Sequence, residues 1–366
     1  MSKNLFMVSL FVLSSIGSKS FFQISLSTSF LTNQTATALT STWPSQNEIE
    51  NVSIEDSLQL ENLSLNSAKT SFFYHHNLNT GVSTLSSISY NTTSSMSINE
   101  KIPNYSTYYD IPVSNVKSSA SANDNMVAID TNHYTNYQPS AVAYFDGLET
   151  YDSSLYLRGT AFLIGDGLAI TAAHCVYQDN QFIKKEKLAF ESLNYNKIFM
   201  DSANVTDVYI PKEFYDDGNS YYSVDSSGNR NYMLHQTAQN YDWAILKLNK
   251  SNLHNTYGGF SIRTKYTLAN EYSMAIGYPA NENTALYSSC GKNNASYTDY
   301  RYLLYQYNYP GMSGGPIICY YYDQETMEDE SFVVGIVSTK EEKNLCSYTG
   351  GTRITNEMVT LISQID

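Results

Sequence analysis

The sequence predicts an all-β protein with a helix at its C-terminal end. From about residue 135 onward, short apolar or alternating runs of strand length lie between turn residues such as Gly, Asp, Asn and Pro. Tyrosine, which suits β-sheet surfaces, occurs 33 times among the 366 residues. Many short strands without intervening helices are typical of a sandwich or a barrel. We therefore expect one β unit over residues 135–366.

The strands are expected at the apolar runs and the helix at the end of the chain. Asn356 can cap a helix in which Met358, Leu361, Ile362 and Ile365 lie on one face. The runs include Ala141–Phe145, Thr160–Ile164, Leu168–Thr171, Val208–Ile210, Ala244–Leu248, Met274–Ile276, Tyr302–Tyr305, Pro316–Cys319 and Phe332–Val337.

The first 134 residues differ from the β unit in composition and in residue pattern. Lys3 precedes an apolar run from Leu5 to Ile16, and small residues follow. This is the pattern of a secretory signal peptide over residues 1–20, and its apolar run is short for a membrane span. We therefore expect a secreted, extracellular protein without stable membrane insertion. Residues 21–134 are rich in Ser, Thr and Asn and sparse in charge, which predicts a propeptide or stalk that is largely disordered.

Charge and cysteine spacing exclude two kinds of partner. The chain has 21 Lys and Arg against 35 Asp and Glu, a net charge of −14, and no basic run. Nucleic-acid binding needs clustered Lys and Arg, so we expect no nucleic-acid partner. Four cysteines, at positions 175, 290, 319 and 346, have neither CxxC nor Cys/His spacing, so no metal site is expected. In an exported chain they predict disulfides, with three possible connectivities.

Three segments of the β unit carry residue types suited to nucleophilic catalysis. The strand at 168–171 leads through small residues to His174. Asp242 stands at the mouth of the apolar strand 244–248, where a buried carboxylate needs a donor such as an imidazole N–H. Ser313 is flanked by glycines, which allow two backbone N–H groups to point at one oxyanion.

The combination of these residues is more informative than any one of them. Taken singly, they are explained by a packed histidine, a strand-capping aspartate and a Gly-rich turn. A serine hydroxyl needs a base within hydrogen-bond reach, and the base needs an orienting partner. The order His174, Asp242, Ser313 differs from that of α/β-hydrolases, in which Ser comes first, and from that of subtilisins, in which Asp precedes His.

The chain resembles the chymotrypsin/trypsin-like serine protease family over about residues 135–366. The resemblance implies two antiparallel six-stranded β-barrels with the site in the cleft between them. Two further segments, Gly277-Tyr-Pro279 and Gly350-Gly-Thr-Arg-Ile-Thr355, are similar to the bacterial glutamyl endopeptidase branch. The segments that carry the family resemblance are Thr171-Ala-Ala-His174-Cys175, Asp242-Trp-Ala-Ile-Leu-Lys-Leu248, Gly311-Met-Ser313-Gly-Gly-Pro316 and Gly335-Ile-Val-Ser338.

The resemblance also implies a catalytic role for each residue. Ser313 would attack a peptide carbonyl and form an acyl-enzyme, His174 would take and return the proton, and Asp242 would hold the imidazole. The backbone N–H groups of Gly311 and Ser313 would form the oxyanion hole. The expected substrate is a protein or peptide, no cofactor is needed, and we expect a monomer.

The substrate-binding positions depart from those of both branches. Ser338 matches the position that hydrogen-bonds substrate main chain. Val337 and Asn308 stand where the glutamyl endopeptidase branch has the His and the Thr that read glutamate, so glutamate specificity is not implied. Met312 replaces the Asp that pairs with the new N-terminus in trypsin-like zymogens, so activation of the precursor would not use that ion pair.

The cysteine pattern matches the family only in part. Cys175 resembles the cysteine that follows the catalytic histidine, but its usual partner would lie near Gly159, where there is no cysteine. The resemblance therefore points to a bridge within Cys290, Cys319 and Cys346 that leaves Cys175 free.

Two classes of function stay open at this point. A secreted serine endopeptidase made as a precursor is favoured, because the nucleophile, the base and the carboxylate are all present. The alternative is a catalytically silent protease-like binding protein, or an adhesion protein whose Ser/Thr/Asn-rich arm is the functional part.

Overall fold

The computed structural model divides the chain into two compact units, Met1–Glu61 and Asn62–Asp366. In the first unit, the strands β1 (Phe6–Leu13) and β2 (Phe21–Thr28) pair antiparallel. The rest of the predicted signal peptide lies outside the described residues. The structure describes residues 6–13, 21–28, 68–98, 126–128, 141–148, 157–165, 167–178, 180–183, 185–191, 199–217, 221–224, 230–234, 236–264, 272–279, 286–292, 298–304, 308–323, 328–343 and 346–365.

The second unit consists mainly of β-strands. Its described helices are α1 (Lys212–Asp217), α2 (Gln236–Asn240), α3 (Leu253–Tyr257) and α4 (Asn356–Ile362), and a 3-10 turn spans Ala173–Cys175. Its described strands are β3 (Ala68–Asn77), β4 (Val82–Asn91), β5 (Ser97–Ile98), β6 (Met126–Ala128), β7 (Val142–Leu148), β8 (Leu157–Gly165), β9 (Leu168–Thr171), β10 (Tyr177–Gln178), β11 (Gln181–Phe182), β12 (Lys185–Glu191), β13 (Phe199–Pro211), β14 (Tyr221–Val224), β15 (Arg230–Met233), β16 (Ala244–Leu248), β17 (Ile262–Arg263), β18 (Tyr272–Gly277), β19 (Tyr287–Lys292), β20 (Arg301–Leu304), β21 (Pro316–Asp323), β22 (Glu328–Lys343) and β23 (Cys346–Arg353).

The first large sheet is antiparallel and has eight strands in the order β12-β7-β8-β9-β16-β13-β3-β4. The strand β12 also pairs with β13, so the six strands from β12 to β13 pair in a cycle. The hairpin β3–β4 continues the sheet outward from β13.

The second large sheet has nine strands, with the main order β20-β23-β22-β21-β18-β19-β6. Off this path, β17 pairs parallel with β22 and antiparallel with β5. Two small hairpins, β10–β11 and β14–β15, stand apart from both sheets. The architecture confirms the all-β class with a C-terminal helix, although each sheet has more strands than the six implied for each barrel.

The helix α4 closes the chain as expected, with one difference at its start. Met358, Leu361 and Ile362 are buried in the larger hydrophobic cluster, which also includes strands of both sheets. The N-cap is Thr355 rather than Asn356: Thr355 is extended and its hydroxyl accepts from the Met358 amide. Its short oxygen acceptor suits this capping position. None of the described helices is long and apolar enough to cross a membrane.

Part of the segment 21–134 has more structure than its composition predicts. Residues 68–98 and 126–128 form the strands β3 to β6, which extend both large sheets. The expectation of a largely disordered segment is therefore corrected for these residues. The average composition of this segment conceals short apolar runs such as Phe72–Tyr74, which pairs with β4 and, through Phe73 and Tyr74, with β13. The other residues of 21–134, apart from β2, lie outside the described ranges.

Candidate active site

Antiparallel pairing of β9 with β16 brings His174 and Asp242 together. Ala244, the first residue of β16, lies opposite Thr171, the last residue of β9. The chain therefore enters β16 at the same end where it leaves β9. Asp242 comes just before β16, and His174 lies in the 3-10 turn just after β9.

Asp242 is completely buried and accepts three hydrogen bonds. Its Oδ2 accepts from His174 Nδ1 at 2.7 Å and from the Ser338 hydroxyl at 2.5 Å. Its Oδ1 accepts from the His174 backbone N–H at 2.9 Å. A buried carboxylate is costly unless its oxygens are hydrogen-bonded, and these three donors meet that requirement.

The ionisation of the pair follows from this geometry. Burial by itself would raise the pKa of Asp242, but the His174 charge and the hydrogen bonds from His174 and Ser338 outweigh it and lower the pKa. Burial would also lower the pKa of His174, but Asp242 and the neighbouring Cys175 outweigh it and raise the pKa well above its ordinary value. The arrangement therefore favours an imidazolium beside a carboxylate.

The loop that carries Ser313 requires glycine for steric reasons. Gly311 has φ of +98° and Gly314 has φ of +88°, a region that L side chains rarely adopt. A Cβ at Gly314 would collide with the Thr160 carbonyl oxygen and the Thr171 hydroxyl. The glycine at 314 therefore allows the serine loop to pack against β8 and β9, the strands that precede His174.

Hydrogen bonds from both sheets hold Ser313 in this loop. The Ser313 carbonyl accepts from the Thr160 N–H at 2.8 Å, and the Gly314 N–H donates to the Val337 carbonyl at 2.7 Å. The Ser313 hydroxyl donates to the Ser338 carbonyl at 3.4 Å, near the upper limit for a hydrogen bond. Ser338 therefore contacts both the nucleophile candidate and Asp242.

Two amides of the serine loop point to an anion-binding function. Among the hydrogen bonds of the described residues, none is donated by the N–H of Gly311 or of Ser313. The intervening Met312 N–H donates to the Tyr309 carbonyl at 3.0 Å. Two N–H groups of one loop that have no acceptor among the described residues suit a developing oxyanion.

The remaining predicted substrate-binding residues are buried beside this loop. Val337 is completely buried, and Asn308 is 4% exposed. Asn308 Nδ2 donates to the Thr339 carbonyl at 3.0 Å. Asn308 Oδ1 is buried and has no hydrogen-bond partner in the part of the chain that the structure describes.

Cys175, which directly follows His174, is a free, buried thiol. This agrees with the expectation that it lacks its usual disulfide partner. Its Sγ lies 3.7 Å from the Ser313 carbonyl oxygen, and a Cβ built at Gly159 would lie 2.9 Å from that sulfur. The predicted bridge within Cys290, Cys319 and Cys346 stays a prediction.

Sequence reasoning missed the contact between the Ser338 side chain and Asp242. It assigned Ser338 to substrate main chain alone, whereas the hydroxyl is a donor to the buried carboxylate. The signal available in the sequence was a hydroxyl-bearing residue directly after the apolar run Phe332–Val337. Within the described residues, no group of three or more His, Cys, Asp or Glu side chains is placed to hold a metal ion.

The chain is similar to a peptidase family model and to solved structures of proteases. Residues 159–322 match the family model described as a trypsin-like peptidase domain, while no curated protein matches the chain. Among solved structures, the chain is similar to a Glu endopeptidase in complex with MPD, with 19% identity and a TM-score of 0.48 over 68% of this chain and 98% of the other. It is also similar to the thermostable serine protease AL20 from an extremophilic microorganism, with 14% identity and a TM-score of 0.43 over 62% and 98% of the two chains.

Proposed function

We propose, from the premise that residues 159–322 belong to the trypsin-like serine proteases, that this protease is an endopeptidase acting through Ser313, His174 and Asp242. The observation that carries the proposal is the fully buried Asp242 carboxylate, which is hydrogen-bonded to Nδ1 of His174 at 2.7 Å. This contact fixes the tautomer of a neutral imidazole with its proton on Nδ1. Nε2 is then the nitrogen that can accept a proton from Ser313.

In the first half-reaction, the Ser313 oxygen forms a bond to the scissile carbonyl carbon. The hydroxyl proton moves to His174 Nε2, and the carbonyl oxygen becomes an oxyanion. The carbon–nitrogen bond then breaks, and His174 gives its proton to the leaving amine. The product is a free amine and an acyl ester on Ser313.

In the second half-reaction, water attacks the acyl ester. His174 accepts a proton from that water, the ester carbon–oxygen bond breaks, and the proton returns to the Ser313 oxygen. Asp242 stays ionised throughout and stabilises the imidazolium in both halves. The enzyme is thereby regenerated and the acyl fragment leaves as a carboxylic acid.

The N–H groups of Gly311 and Ser313 stabilise the oxyanion in both halves. Their support is the positive φ of Gly311 and the lack of an internal acceptor for either amide among the described residues. Removal of one such donor in other hydrolases costs about 3–4 kcal/mol of transition-state stabilisation. The oxyanion hole is therefore a major part of the proposed catalysis.

Substrate enters this scheme as an extended peptide beside β22. The Ser338 carbonyl, which in this structure accepts from Ser313 at 3.4 Å, accepts a substrate N–H once the Ser313 hydroxyl turns toward His174. Asn308 and Val337 line the side-chain pocket. An uncharged pocket of this kind supports neither a glutamate nor a Lys/Arg preference, because a buried charge needs a partner.

The N-terminal signal pattern supports export of the enzyme as a precursor. Residues 1–20 are removed on secretion, and part of the Ser/Thr/Asn-rich segment is removed on maturation. The mature enzyme acts outside the cell as a monomer on protein or peptide substrates. Neither a metal nor an organic cofactor takes part in these steps.

Fluorophosphonate labelling of the purified mature protein tests the proposal. The reagent phosphonylates a serine only when a neighbouring base activates it, so labelling should map to Ser313 by mass spectrometry. Ser313→Ala should abolish labelling, whereas Ser251→Ala, at an exposed serine, should leave it unchanged. A folded, processed sample that resists the reagent would favour the protease-like binding protein instead.

A further inference from the structure

Residues 68–98 attach to both large sheets, although they lie well before the matched peptidase segment. We name this segment, which comprises β3, β4, β5 and their connections, the strap. It begins in a stretch whose composition resembles a disposable propeptide. Its contacts, however, are those of a structural element of the folded unit.

The first attachment is to β13 of the first sheet. β3 pairs with β13 over five residues, from Asn77 opposite Asp207 to Phe73 opposite Pro211. Asp207 Oδ1 accepts from Asn77 Nδ2 and contacts His75 Nε2, each at 2.8 Å. The backbone pairing with β3 covers the edge that β13 would otherwise leave unpaired at residues 207–211.

Side-chain packing strengthens this first attachment. Phe73 and Ile88 of the strap are buried in the main hydrophobic cluster, at 7% and 3% exposure. The His75 ring stacks on Tyr209 with centroids 4.6 Å apart and an interplanar angle of 7°. The strap therefore supplies core residues as well as backbone hydrogen bonds.

The second attachment is to the C-terminal helix. The side-chain amide of Asn356 donates to the Asn91 carbonyl at 2.6 Å and to the Ser94 carbonyl at 2.7 Å. Asn356 is 6% exposed, so without the strap these donors would lose their buried partners. A buried amide without hydrogen-bond partners is costly. The strap therefore supplies the acceptors that the Asn356 side chain of α4 requires.

The third attachment is to the second sheet. The Met96 N–H donates to the Thr264 hydroxyl, and the Thr264 N–H donates to the Met96 carbonyl, each at 2.9 Å. Ile98 pairs with Ile262 of β17. β17 in turn pairs with β22, the strand that carries Ser338.

We propose that the strap is a permanent positioning element of the active enzyme and stays bound after the precursor is processed. It ties the sheet of His174 and Asp242 to the sheet whose β22 contacts Ser313. Maturation therefore cuts the chain before Ala68, or between residues 99 and 125 with the strap retained by its non-covalent contacts. The labelling of Ser313 used in the test below rests on the proposed function, whereas the measurement of strap retention does not.

The test cuts the backbone between the strap and the rest of the chain and asks whether the strap stays bound. A recognition sequence for a site-specific viral protease replaces residues 108–114 in the full chain, and the purified protein is cut and passed through a sizing column. We expect the strap fragment to elute with the remainder of the chain and Ser313 labelling to continue at the uncut rate. Dissociation of the strap in plain buffer would overturn the inference, whatever the labelling rate.

A matched pair of variants checks the contacts that hold the strap. In the cut protein, Asn356→Ala should bind the strap roughly tenfold more weakly, because two buried hydrogen bonds are lost. Asn255→Ala, at an exposed asparagine on α3, should leave binding unchanged. Equal strap affinity in the two variants would contradict the assigned contacts.

Failure of the proposed function gives a different result. If the uncut protein is not labelled at Ser313, the catalytic proposal fails, and co-elution still decides whether the strap is retained. N-terminal sequencing of the naturally processed protein gives an independent answer. An active form that begins after Ile98 and contains no strap peptide would refute strap retention.

Discussion

The Ser338 hydroxyl and the Asp242 carboxylate form a 2.5 Å hydrogen bond that joins the two large sheets at the candidate active site. Asp242 stands before β16 of the first sheet, and Ser338 lies in β22 of the second. The same oxygen of Asp242 accepts from His174 Nδ1, and the Ser338 carbonyl accepts from the Ser313 hydroxyl. Ser338 therefore contacts the carboxylate that orients the base and also the nucleophile.

Ser338→Ala should reduce kcat/KM about tenfold, because one donor to a fully buried carboxylate is lost at a cost of about 1–3 kcal/mol. The loss should appear in kcat as well as in stability, since Asp242 orients His174 during catalysis. Steady-state kinetics on a peptide substrate measure the effect, with Ser251→Ala as the control. Unchanged kinetics in Ser338→Ala would show that the hydroxyl contributes nothing to catalysis.

The pairing of His174 with Asp242 could be anticipated from local sequence patterns. The runs Leu168–Thr171 and Ala244–Leu248 coincide with β9 and β16, because each is a short apolar segment bounded by turn residues. Once these strands pair antiparallel, the residues at their adjoining ends must approach each other. The glycines beside Ser313 were predictable in the same way, since a positive φ favours glycine.

The strap and the Ser338 contact could not be predicted in this way, because both depend on contacts between distant segments. Residues 68–98 sit in a Ser- and Thr-rich stretch whose average hydrophobicity is low, and Phe73 and Ile88 become core residues only against β13 and α4. The Ser338 hydroxyl meets Asp242 only because the sheets pack together. The spacing of residues along the chain does not predict the strap contacts or the contact between Ser338 and Asp242.

The acid limb of the kcat/KM profile should lie above the pH at which an ordinary histidine titrates. Only the neutral form of His174 can accept the Ser313 proton, and the Asp242 charge raises the pKa of His174 well above 6.5. Activity should therefore fall already as pH decreases toward 6.5. Measurement of kcat/KM, or of the fluorophosphonate labelling rate, between about pH 5 and pH 9 tests this.

Asp242→Asn is the matched variant for this profile. The neutral amide cannot stabilise the imidazolium, so the limb should move to lower pH. The plateau should fall by about 10⁴-fold, as it does for the same change in other serine proteases with this triad. A flat rate between about pH 5 and 8 in the unmodified enzyme would contradict the role of His174 as base.

Gly159→Cys should form a disulfide with Cys175. A Cβ at position 159 lies 2.9 Å from the Cys175 sulfur and 3.5 Å from its Cβ, and the latter distance falls within the range of natural disulfides. Closing this short loop should raise the free energy of unfolding by about 3 kcal/mol. Denaturant unfolding with and without reductant measures the gain.

Gly159→Ser serves as the steric control for the disulfide variant. It adds a side chain of similar size beside the same sulfur but cannot form the bond, so it should give no stabilisation. The oxidised Gly159→Cys variant is unfolded and treated with a thiol reagent. If Cys175 reacts fully, the bridge does not form.

Glu357→Gln should stabilise the protein above neutral pH. Burial, followed by the charge of Glu213, raises the pKa of Glu357 to about 7, although a hydrogen bond from Ser71 opposes the rise. Between the ordinary value near 4.5 and about 7, the folded protein keeps a proton that the unfolded chain releases, so stability falls as pH rises through this window. The accumulated loss is about 3 kcal/mol at pH 8, and glutamine removes it because it does not ionise. Urea unfolding at pH 5 and pH 8 should show that the free energy of unfolding depends less on pH in Glu357→Gln. The control Asp299→Asn, at an exposed carboxylate, should keep the original pH dependence. An equal pH dependence in the two variants would show that Glu357 is not the group that titrates.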